Sequence, residues 1–473
     1  MKRYKQIVGG RIHDLVESYV SSIDFDRNIA KYVAMVMLAH VKELARIGVM
    51  PTGAVKAIAQ KLVGIINTDG ESLYEWISKQ GEKYEDVFEA LEIYLYNVVG
   101  PEAGYIALGR SRNDHIAAVL RLAIRDKVVE LLFKILEIRK VLIAKSQENK
   151  EVLFPFFTHA QVAQCGSAAI YFLSYEQAFS DLWRIVFYAL GFLSQNPLGS
   201  GASAGSILQI SLDSISKNLC LDAQPLPPYY ATGSRLFLLY TASALAMVMA
   251  EVGRFVEDMI MLNNVVPQGV KFPEDHISTS SIMPHKRNPV TLEIARAKVS
   301  KVLGVLAALF SLYKAVPYGY NLDFQEANVY FFDMVKEVLN TIEILKDFIS
   351  KIELDAEALR KYISDKPCWS SDVAEYIAIK ENRALREVYV ELAETLKLAM
   401  KGDSTAISGF LSNHELDFEA IDSVIKMKPV EKNIDVLIGM AEKHFNEDSE
   451  KVKQVYSELT SCNEMLIRNF PQA

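Results

Sequence analysis

Residues 115–145 have the sequence HIAAVLRLAIRDKVVELLFKILEIRKVLIAK, which contains neither glycine nor proline. Inside a helix glycine costs about 1 kcal/mol and proline about 3 kcal/mol, so their absence favours one long helix. Apolar residues recur at mixed spacings of three and four and occupy most faces of this helix. A helix that is apolar on most faces must be buried on several sides. The stretch therefore predicts an all-α fold built as a bundle of long helices.

Two further segments, Ser167–Leu190 and Glu326–Lys366, also lack glycine and proline. We expect the second to divide into two helices at the polar step Glu353–Ala356. Asn113 and Asp114 precede the first long helix and are candidate N-cap residues. Alternating strand patterns are scarce, which also favours a fold of helices alone.

We expect three helical domains per subunit. Gly100–Gly104 interrupts the first helical region, and from about Glu353 the chain becomes more charged, with shorter periodic segments. The expected N-terminal domain, central long-helix bundle and small C-terminal domain cover 1–111, 112–357 and 358–473. Helices that are apolar on most of their faces are more natural in a subunit of an oligomer than in a monomer.

Composition argues against two classes of partner. The formal net charge is −8 and there is no basic stripe, which makes a nucleic-acid partner unexpected. The most apolar run, Leu236–Ala250, is shorter than the roughly 20 residues that a membrane span needs. We expect it to be a buried helix and the protein to have no membrane partner.

Cysteine usage and the N-terminus suggest the compartment. Four cysteines lie far apart without metal-ligand spacing: Cys165, Cys220, Cys368 and Cys462. We expect all four to be reduced, in a cytoplasmic protein. Residues 1–14 show no secretory signal.

The first motif with chemical character is Gly109–Asp114, GRSRND. Arginine forks bind carboxylates through two hydrogen bonds, and a helix N-terminus favours anions. One interpretation is a grip for a dicarboxylate in which Arg112 and Asn113 take part. The alternative is a charged helix start with ordinary surface ion pairs.

The second motif is Thr158–Gln161, THAQ. Histidine exchanges protons near neutral pH, so His159 is a candidate acid or base. Thr158 could hold a carboxylate oxygen. The alternative is a histidine whose hydrogen bonds are satisfied in the core.

The third motif is Thr279–Pro289, TSSIMPHKRNP. Removing a proton from a carbon beside a carboxylate builds negative charge on the carboxylate oxygens, and fixed donors there supply most of the stabilisation. Lys286 and Asn288 suit that role. Ser280 can act as the base if cations and amide N–H groups stabilise its alkoxide. The alternative is an ordinary serine-rich turn.

These three motifs, in this order and spacing, resemble the aspartase/fumarase superfamily, whose shared loop is similar to Ser280–Pro289. Within that superfamily, Gly109–Asp114, Asn196–Ala202 and Tyr320–Glu326 resemble the argininosuccinate lyase family. The resemblance covers about residues 8–375. It implies β-elimination of the small molecule argininosuccinate to arginine and fumarate in arginine biosynthesis. It further implies a homotetramer with sites shared between subunits and no metal or organic cofactor.

The resemblance also implies roles for individual residues. Ser280 and His159 match the catalytic positions, with the order of their proton transfers left open. The positions that match groups holding the substrate are Ser22, Arg112, Asn113, Thr158, Lys286, Asn288, Tyr320 and Gln325.

Several positions depart from the family pattern. Thr279 replaces a glycine, while Leu322 and Asn328 stand where the family has cations. The C-terminal region also lacks the family's histidine after Arg386. Two alternatives therefore stay open: a lyase that releases fumarate from another N-succinyl adduct, and a lyase-fold scaffold without catalysis.

Overall fold

The computed structural model describes residues 13–81 and 83–468. Its N-terminal region consists of short helices and ends in a 3-10 helix, Pro101–Ala107. The α-helices of this region are α1 Asp14–Val20, α2 Ile23–Asp26, α3 Ala30–Arg46, α4 Thr52–Asn67, α5 Glu71–Gln80 and α6 Val87–Val99. Residues 1–12, part of the segment from which we expect no secretory signal, lie outside the described residues.

The middle of the chain holds five long helices of the bundle, with two short helices and the 3-10 helix Glu274–His276 between them. The α-helices are α7 Arg112–Glu148, α8 Ala168–Leu193, α9 Leu212–Leu219, α10 Pro228–Gly233, α11 Leu236–Val265, α12 Val290–Ala315 and α13 Asp323–Lys351. Helix α7 packs against α8, α13 and α3, while α11 packs against α12 and α8. The all-α long-helix fold is thus confirmed.

The C-terminal region returns to shorter helices and then ends in a long one. Its helices are α14 Ala356–Asp365, α15 Ser370–Lys380, α16 Leu385–Met400, α17 Ala406–Asn413, α18 Phe418–Lys426, α19 Pro429–Lys432 and α20 Ile434–Arg468. Helix α20 lies along α7, α8 and α9. The expected break after α13 is confirmed, because Asp355 caps α14 by accepting a hydrogen bond from the Ala358 N–H.

The cap of α7 differs from the prediction. Ser111 is the N-cap, and its hydroxyl accepts a hydrogen bond from the Asn113 N–H at 3.2 Å. Asp114 completes a capping box by accepting from the Ser111 N–H at 3.0 Å. A serine followed three positions later by an acid satisfies two free N–H groups at once. Asn113 and Asp114 are therefore residues of the first turn, and the N-cap prediction for them was wrong.

Within residues 13–81 and 83–468, three small antiparallel sheets interrupt the helices, and the sequence did not predict them. The strands are β1 Leu153–Thr158, β2 Gln161–Ser167, β3 Val270–Lys271, β4 Ser278–Thr279, β5 Arg287–Asn288 and β6 Glu353–Leu354. Strand β1 pairs with β2, β3 with β6, and β4 with β5. The β1–β2 hairpin links α7 to α8, and the β4–β5 hairpin encloses the serine-rich loop.

Helix α11 carries the most apolar run and extends beyond it to 30 residues. By length and composition it is able to cross a membrane, with a mean hydropathy of 1.7 in its most apolar window. However, 61% of that window is buried inside the fold, where α11 packs against α8, α12 and α13. These are the properties of a core helix in a bundle.

The cysteines correct one expectation. Cys220 and Cys462 form a disulfide, with their Cα atoms 5.8 Å apart, so the prediction that all four cysteines are reduced was wrong. The two residues are 242 positions apart in sequence, and only the packing of α20 against α9 brings them together. Cys165 and Cys368 are free and buried.

A second, smaller core lies under the C-terminal helices. It gathers around Trp369 and includes Leu153 and Cys165 from the β1–β2 hairpin. The base of that hairpin therefore packs on the C-terminal helices as well as on the bundle.

Candidate active site

The first group of candidate residues surrounds Arg112 at the start of α7. Its guanidinium forms ion pairs with Asp86 and, at 3.0 Å, with Glu85. It also donates a hydrogen bond to the Gln325 side-chain oxygen at 3.4 Å. Burial lowers the pKa of Arg112, but Asp86, Tyr320 and Glu85 outweigh it and raise the pKa above its usual range. Arg112 is therefore a fixed positive charge.

Ser22 and Asp26 extend this group. The buried Ser22 hydroxyl donates a hydrogen bond to Asp26 Oδ2 at 2.8 Å, and the Val87 N–H donates to the same oxygen at 3.0 Å. Burial raises the pKa of Asp26 to about 7, with a smaller contribution from Asp86. Asp26 can therefore hold or release a proton near neutral pH. Asp26 lies in none of the three sequence motifs.

A large cavity lies beside these residues. It has a volume of about 870 Å³ and is lined by Ser22, Gln325 and parts of α7 and α13. The Gln325 amide donates to the Val20 carbonyl at 2.8 Å, which holds the start of α13 against the N-terminal helices. The cavity is large enough for a small dicarboxylate with an extended substituent.

A buried arginine lies beside the ring of Tyr320. The Arg235 guanidinium lies 5.8 Å from the centre of the Tyr320 ring and 4.9 Å from that of Phe324. Burial raises the pKa of Tyr320 and lowers that of Arg235 to about 10. Arg235 was not predicted as a site residue either, because a single arginine before an apolar helix forms no motif.

Asn113 faces the glycine- and serine-rich loop that follows α8. Its side-chain amide donates to the Ala202 carbonyl at 3.2 Å, while Asp114 accepts from the Gly201 N–H at 3.0 Å. Gly201 has φ +58°, and a Cβ atom there would lie 2.6 Å from the Gly205 oxygen. Only glycine lets the loop fold this closely over the start of α7.

The second group is the tip of the β1–β2 hairpin. Thr158 pairs with Gln161, so His159 and Ala160 form a two-residue turn with φ values of 54° and 55°. Left-handed backbone costs about 1–2 kcal/mol for a residue with a Cβ atom. Thr158 and His159 are both exposed, so the alternative of a satisfied core histidine was wrong. Two-residue hairpin turns commonly need positive φ at both central residues, so the hairpin itself fixes the backbone of His159.

The C-terminal helices hold the base of this hairpin. The Glu431 carboxylate accepts from the Ser167 N–H at 3.1 Å, and a Cβ on Gly166 would lie 2.4 Å from the same carboxylate. Lys428 donates to the Cys165 carbonyl at 2.6 Å and forms an ion pair with Asp372 at 2.9 Å.

The third group is the loop inside the β4–β5 hairpin. The Ser280 hydroxyl oxygen accepts hydrogen bonds from the Met283 N–H at 3.2 Å and the Ile282 N–H at 3.4 Å. Such donors stabilise negative charge on the serine oxygen. Lys286 is exposed and Asn288 lies in β5.

Two further residues of the β4–β5 hairpin are Thr279, in a strand, and Ile282, in the loop. Thr279 is in β4, where it pairs with Arg287, so this position does not need a glycine in the structure. The Ile282 side chain is 83% exposed, which leaves an apolar surface for a neighbouring molecule to cover.

The structure brings some of the predicted residues together and leaves others apart. Ser22, Arg112 and Gln325 share one network, with Tyr320 beside it and Asn113 on the adjoining turn. Thr158 and His159 share the tip of the β1–β2 hairpin, and Ser280, Lys286 and Asn288 share the β4–β5 hairpin. Across residues 13–81 and 83–468, no hydrogen bond or ion pair links one group to another.

One cluster has the composition of a metal site. Ligand atoms of Asp275, His276 and Asp347 all lie within 4.8 Å of one another. The Lys351 ammonium already lies 2.6 Å from Asp275 and 2.7 Å from Asp347, and His276 contacts Asp347 at 2.8 Å. The three side chains therefore belong to a hydrogen-bond and ion-pair network with Lys351.

Comparison with known proteins shows the family to which the chain belongs. Residues 9–304 match the lyase family. An argininosuccinate lyase of Sulfurisphaera tokodaii is 39% identical over 388 residues, which cover 82% of this chain and 83% of that protein. Another, of Sulfolobus acidocaldarius, is 33% identical over 445 residues and 94% of each chain. Among solved structures, EDDS lyase in complex with formate has a TM-score of 0.79 at 17% identity, over 93% of this chain and 90% of that one.

The helical bundle and the family match define the class of protein as a lyase of the aspartase/fumarase superfamily. The sequence identities of 33–39% with the two argininosuccinate lyases extend over most of the chain, and they narrow the class to one family. The chain belongs to the argininosuccinate lyase family.

Proposed function

We propose that this protein cleaves argininosuccinate into L-arginine and fumarate by β-elimination. The observation that carries the proposal is the Ser280 oxygen, which accepts hydrogen bonds from two backbone N–H groups in the β4–β5 hairpin that also holds Lys286 and Asn288. These donors lower the free-energy cost of forming an alkoxide at Ser280. Its curated relatives named argininosuccinate lyase support the choice of substrate.

The proposed reaction needs two proton transfers and no added water. The Ser280 alkoxide takes a proton from the CH2 carbon of the succinyl group, which lies next to the carbon that bears the nitrogen. The electrons of that C–H bond form the double bond of fumarate, and the C–N bond breaks with its electrons on the guanidino nitrogen. His159 gives that nitrogen a proton. Exchange with solvent then restores both groups, and no metal or organic cofactor takes part.

The remaining candidate residues hold the substrate in this proposal. Arg112, Lys286 and Asn288 bind the carboxylates, where charge builds during the reaction. Hydrogen bonds to the rest of the substrate come from Ser22, Asn113, Thr158, Tyr320 and Gln325.

We also propose a homotetramer in the cytoplasm, with each site assembled from three subunits. The separation of the three groups within one chain and the exposed Ile282 support this arrangement. The expected division into domains 1–111, 112–357 and 358–473 stays part of the proposal.

One observation favours a second candidate, a lyase for another N-succinyl adduct. Asn328 follows Gln325 by one turn of α13; it is buried, and its side-chain oxygen has no hydrogen-bond partner among the described residues. The neutral amide of Asn328 would bind a different substrate group from the one that the family's lysine binds at this position. This candidate changes the leaving amine and keeps Ser280 and His159.

A substrate panel separates the two candidates. Purified oligomer is incubated with argininosuccinate, adenylosuccinate and aspartate, and fumarate is followed by its ultraviolet absorbance. We expect turnover of argininosuccinate alone. Turnover of another adduct with none of argininosuccinate would replace the first proposal with the second.

A further inference from the structure

The segment that leads to Tyr320 lies in backbone contact with the end of α10. A Cβ atom on Gly233 would lie 2.6 Å from Gly319 Cα, so no side chain fits at this position of α10. Gly319 has φ +121°, a conformation that glycine adopts without strain. Tyr320 directly follows one of these glycines and Arg235 follows the other by two residues. The contact therefore brings Tyr320 and Arg235 to neighbouring positions.

Two tyrosines add to this contact. The Tyr229 hydroxyl donates a hydrogen bond to the Tyr318 carbonyl, and the centres of the two rings are 5.3 Å apart. A Cβ atom on Gly319 would lie 3.0 Å from the Tyr229 ring. Segment 318–320 is thus held against α10 by a hydrogen bond, a ring contact and close backbone packing.

Arg235 is buried without an acid to balance its charge. Its side chain is 1% exposed, and its Nε and Nη2 atoms have no hydrogen-bond partner among the described residues. Its Nη1 atom donates to the carbonyls of Thr232 and Ser234 at 3.1 and 3.0 Å. Burial lowers the pKa of Arg235 to about 10, and the phenol of Tyr320 opposes that shift. A buried cation without an acid is costly, so a residue needed only for packing would be apolar here.

The phenol of Tyr320 responds to two arginines. Burial raises the pKa of Tyr320, whereas the guanidinium groups of Arg112 and Arg235 oppose the shift and the carboxylates of Asp86 and Asp26 add to it. A nearby cation favours the ionised phenol. A phenol that ionises more readily is also a stronger hydrogen-bond donor. The charge of Arg235 therefore strengthens the Tyr320 hydroxyl as a donor.

We propose that Arg235 is a positioning residue for Tyr320, fixing the ring and strengthening the hydroxyl that donates to the substrate. The proposal rests on the proposed function, in which this hydroxyl binds argininosuccinate. The guanidinium lies 5.8 Å from the centre of the Tyr320 ring, within the range of a cation–π contact. Since the unpartnered nitrogen atoms of Arg235 are buried, Arg235 acts through Tyr320 and not by touching the substrate.

Arg121 offers a matched control. Its side chain is also 1% exposed, and its Nε atom has no hydrogen-bond partner among the described residues. Its guanidinium lies 4.1 Å from the centre of the Phe237 ring. Burial and the charge of Arg235 lower the pKa of Arg121 to about 9. Arg121 thus matches Arg235 in burial and in ring contact, but its ring belongs to no candidate site residue.

A double-mutant cycle on the purified oligomer tests whether Arg235 acts through Tyr320. Fumarate release from argininosuccinate is measured for Arg235→Met, Tyr320→Phe and the double variant. We expect each single change to raise KM about tenfold, as for a lost hydrogen bond, with kcat nearly unchanged. The double variant should match Tyr320→Phe, whereas independent effects would multiply to about a hundredfold. Arg121→Met should keep the KM of the wild type.

A second measurement needs no turnover. A difluorotyrosine incorporated at position 320 alone ionises well below the ordinary tyrosines, so its absorbance during a pH titration reports this one phenol. Arg235→Met should lower the ionisation constant of the phenol about tenfold, because a stabilising cation is lost. Arg121→Met should leave it unchanged.

The outcomes separate this proposal from the proposed function. An intact wild-type oligomer without turnover contradicts the proposed function, while the titration still shows whether Arg235 affects the phenol at position 320. Thermal melting checks the fold of every variant. If Arg235→Met fails to fold, Arg235→Gln, which is neutral and keeps an N–H donor for the carbonyls, replaces it with the same expectations. A wild-type KM, multiplying losses in the double variant, or an unchanged titration overturns the role of Arg235.

Discussion

The carboxylate of Glu431 accepts a hydrogen bond from the backbone N–H of Ser167 at 3.1 Å, and this contact joins the C-terminal helices to the hairpin that ends at His159. The pKa of Glu431 is raised by burial, although the Ser167 N–H opposes the shift. The contact makes the C-terminal helices part of the support of a catalytic candidate, although they carry none of the candidate residues.

Removing this support should loosen the hairpin. We expect Glu431→Ala to lower stability by about 1–3 kcal/mol, because a buried N–H loses its partner. Amide hydrogen exchange should rise in β1 and β2 and stay unchanged in α12. Glu419→Ala, at an exposed acid of α18, is the control and should change neither. Unaltered amide hydrogen exchange in β1 and β2 of Glu431→Ala would contradict this prediction, because it would show that other contacts hold the hairpin.

Asp26 should make stability depend on pH in an unusual direction. Its folded pKa of about 7 lies above the ordinary value of 3.8. Between these values the folded state keeps a proton that the unfolded state has released, so stability falls as pH rises through this window. The loss is at most about 4 kcal/mol. Asp26→Asn should remove this fall, as measured by urea unfolding at several pH values. A wild-type profile parallel to that of Asp26→Asn would contradict the assignment.

The disulfide between Cys220 and Cys462 should stabilise the packing of α20. It closes a loop of 242 residues, for which the chain-entropy argument gives about 5 kcal/mol as an upper value. We expect Cys462→Ser to melt at a lower temperature than the wild type under oxidising conditions. A reductant should lower the melting temperature of the wild type and leave that of Cys462→Ser unchanged. Cys368→Ser offers a control at a free, buried thiol.

The sequence predicts the bundle better than the details that shape the site. The runs that became α7, α8 and α13 were recognisable, because the absence of glycine and proline is a local signal. The β1–β2 hairpin was missed, since its short aromatic strand does not alternate. The partners of Arg112 were missed too, because Glu85 and Asp86 reach it through tertiary packing. The Cys220–Cys462 pair is non-local in the same way.

If each site takes its groups from different subunits, two inactive variants should complement each other. Ser280→Ala and His159→Asn change different groups, so mixed oligomers contain some sites with both groups intact. We expect fumarate release to reappear after subunit exchange. A mixture of Ser280→Ala and Lys286→Ala subunits should stay inactive. Both changes lie in the same loop, and each site takes this loop from a single subunit, so every site carries one of the two changes. Confirmed mixed oligomers with no recovered activity in the first mixture would contradict shared sites.

The proposed mechanism depends on the Ser280 oxygen removing a proton from argininosuccinate. The most direct measurement compares the rate of fumarate release in the wild type, Ser280→Ala and Ser281→Ala. Loss of one essential group costs several kcal/mol of barrier, so we predict a decrease on the order of 10³-fold or more in Ser280→Ala. Ser281→Ala, at the exposed neighbouring serine, should retain most of the activity. Wild-type turnover in Ser280→Ala, or none in the intact wild-type oligomer, would contradict the account.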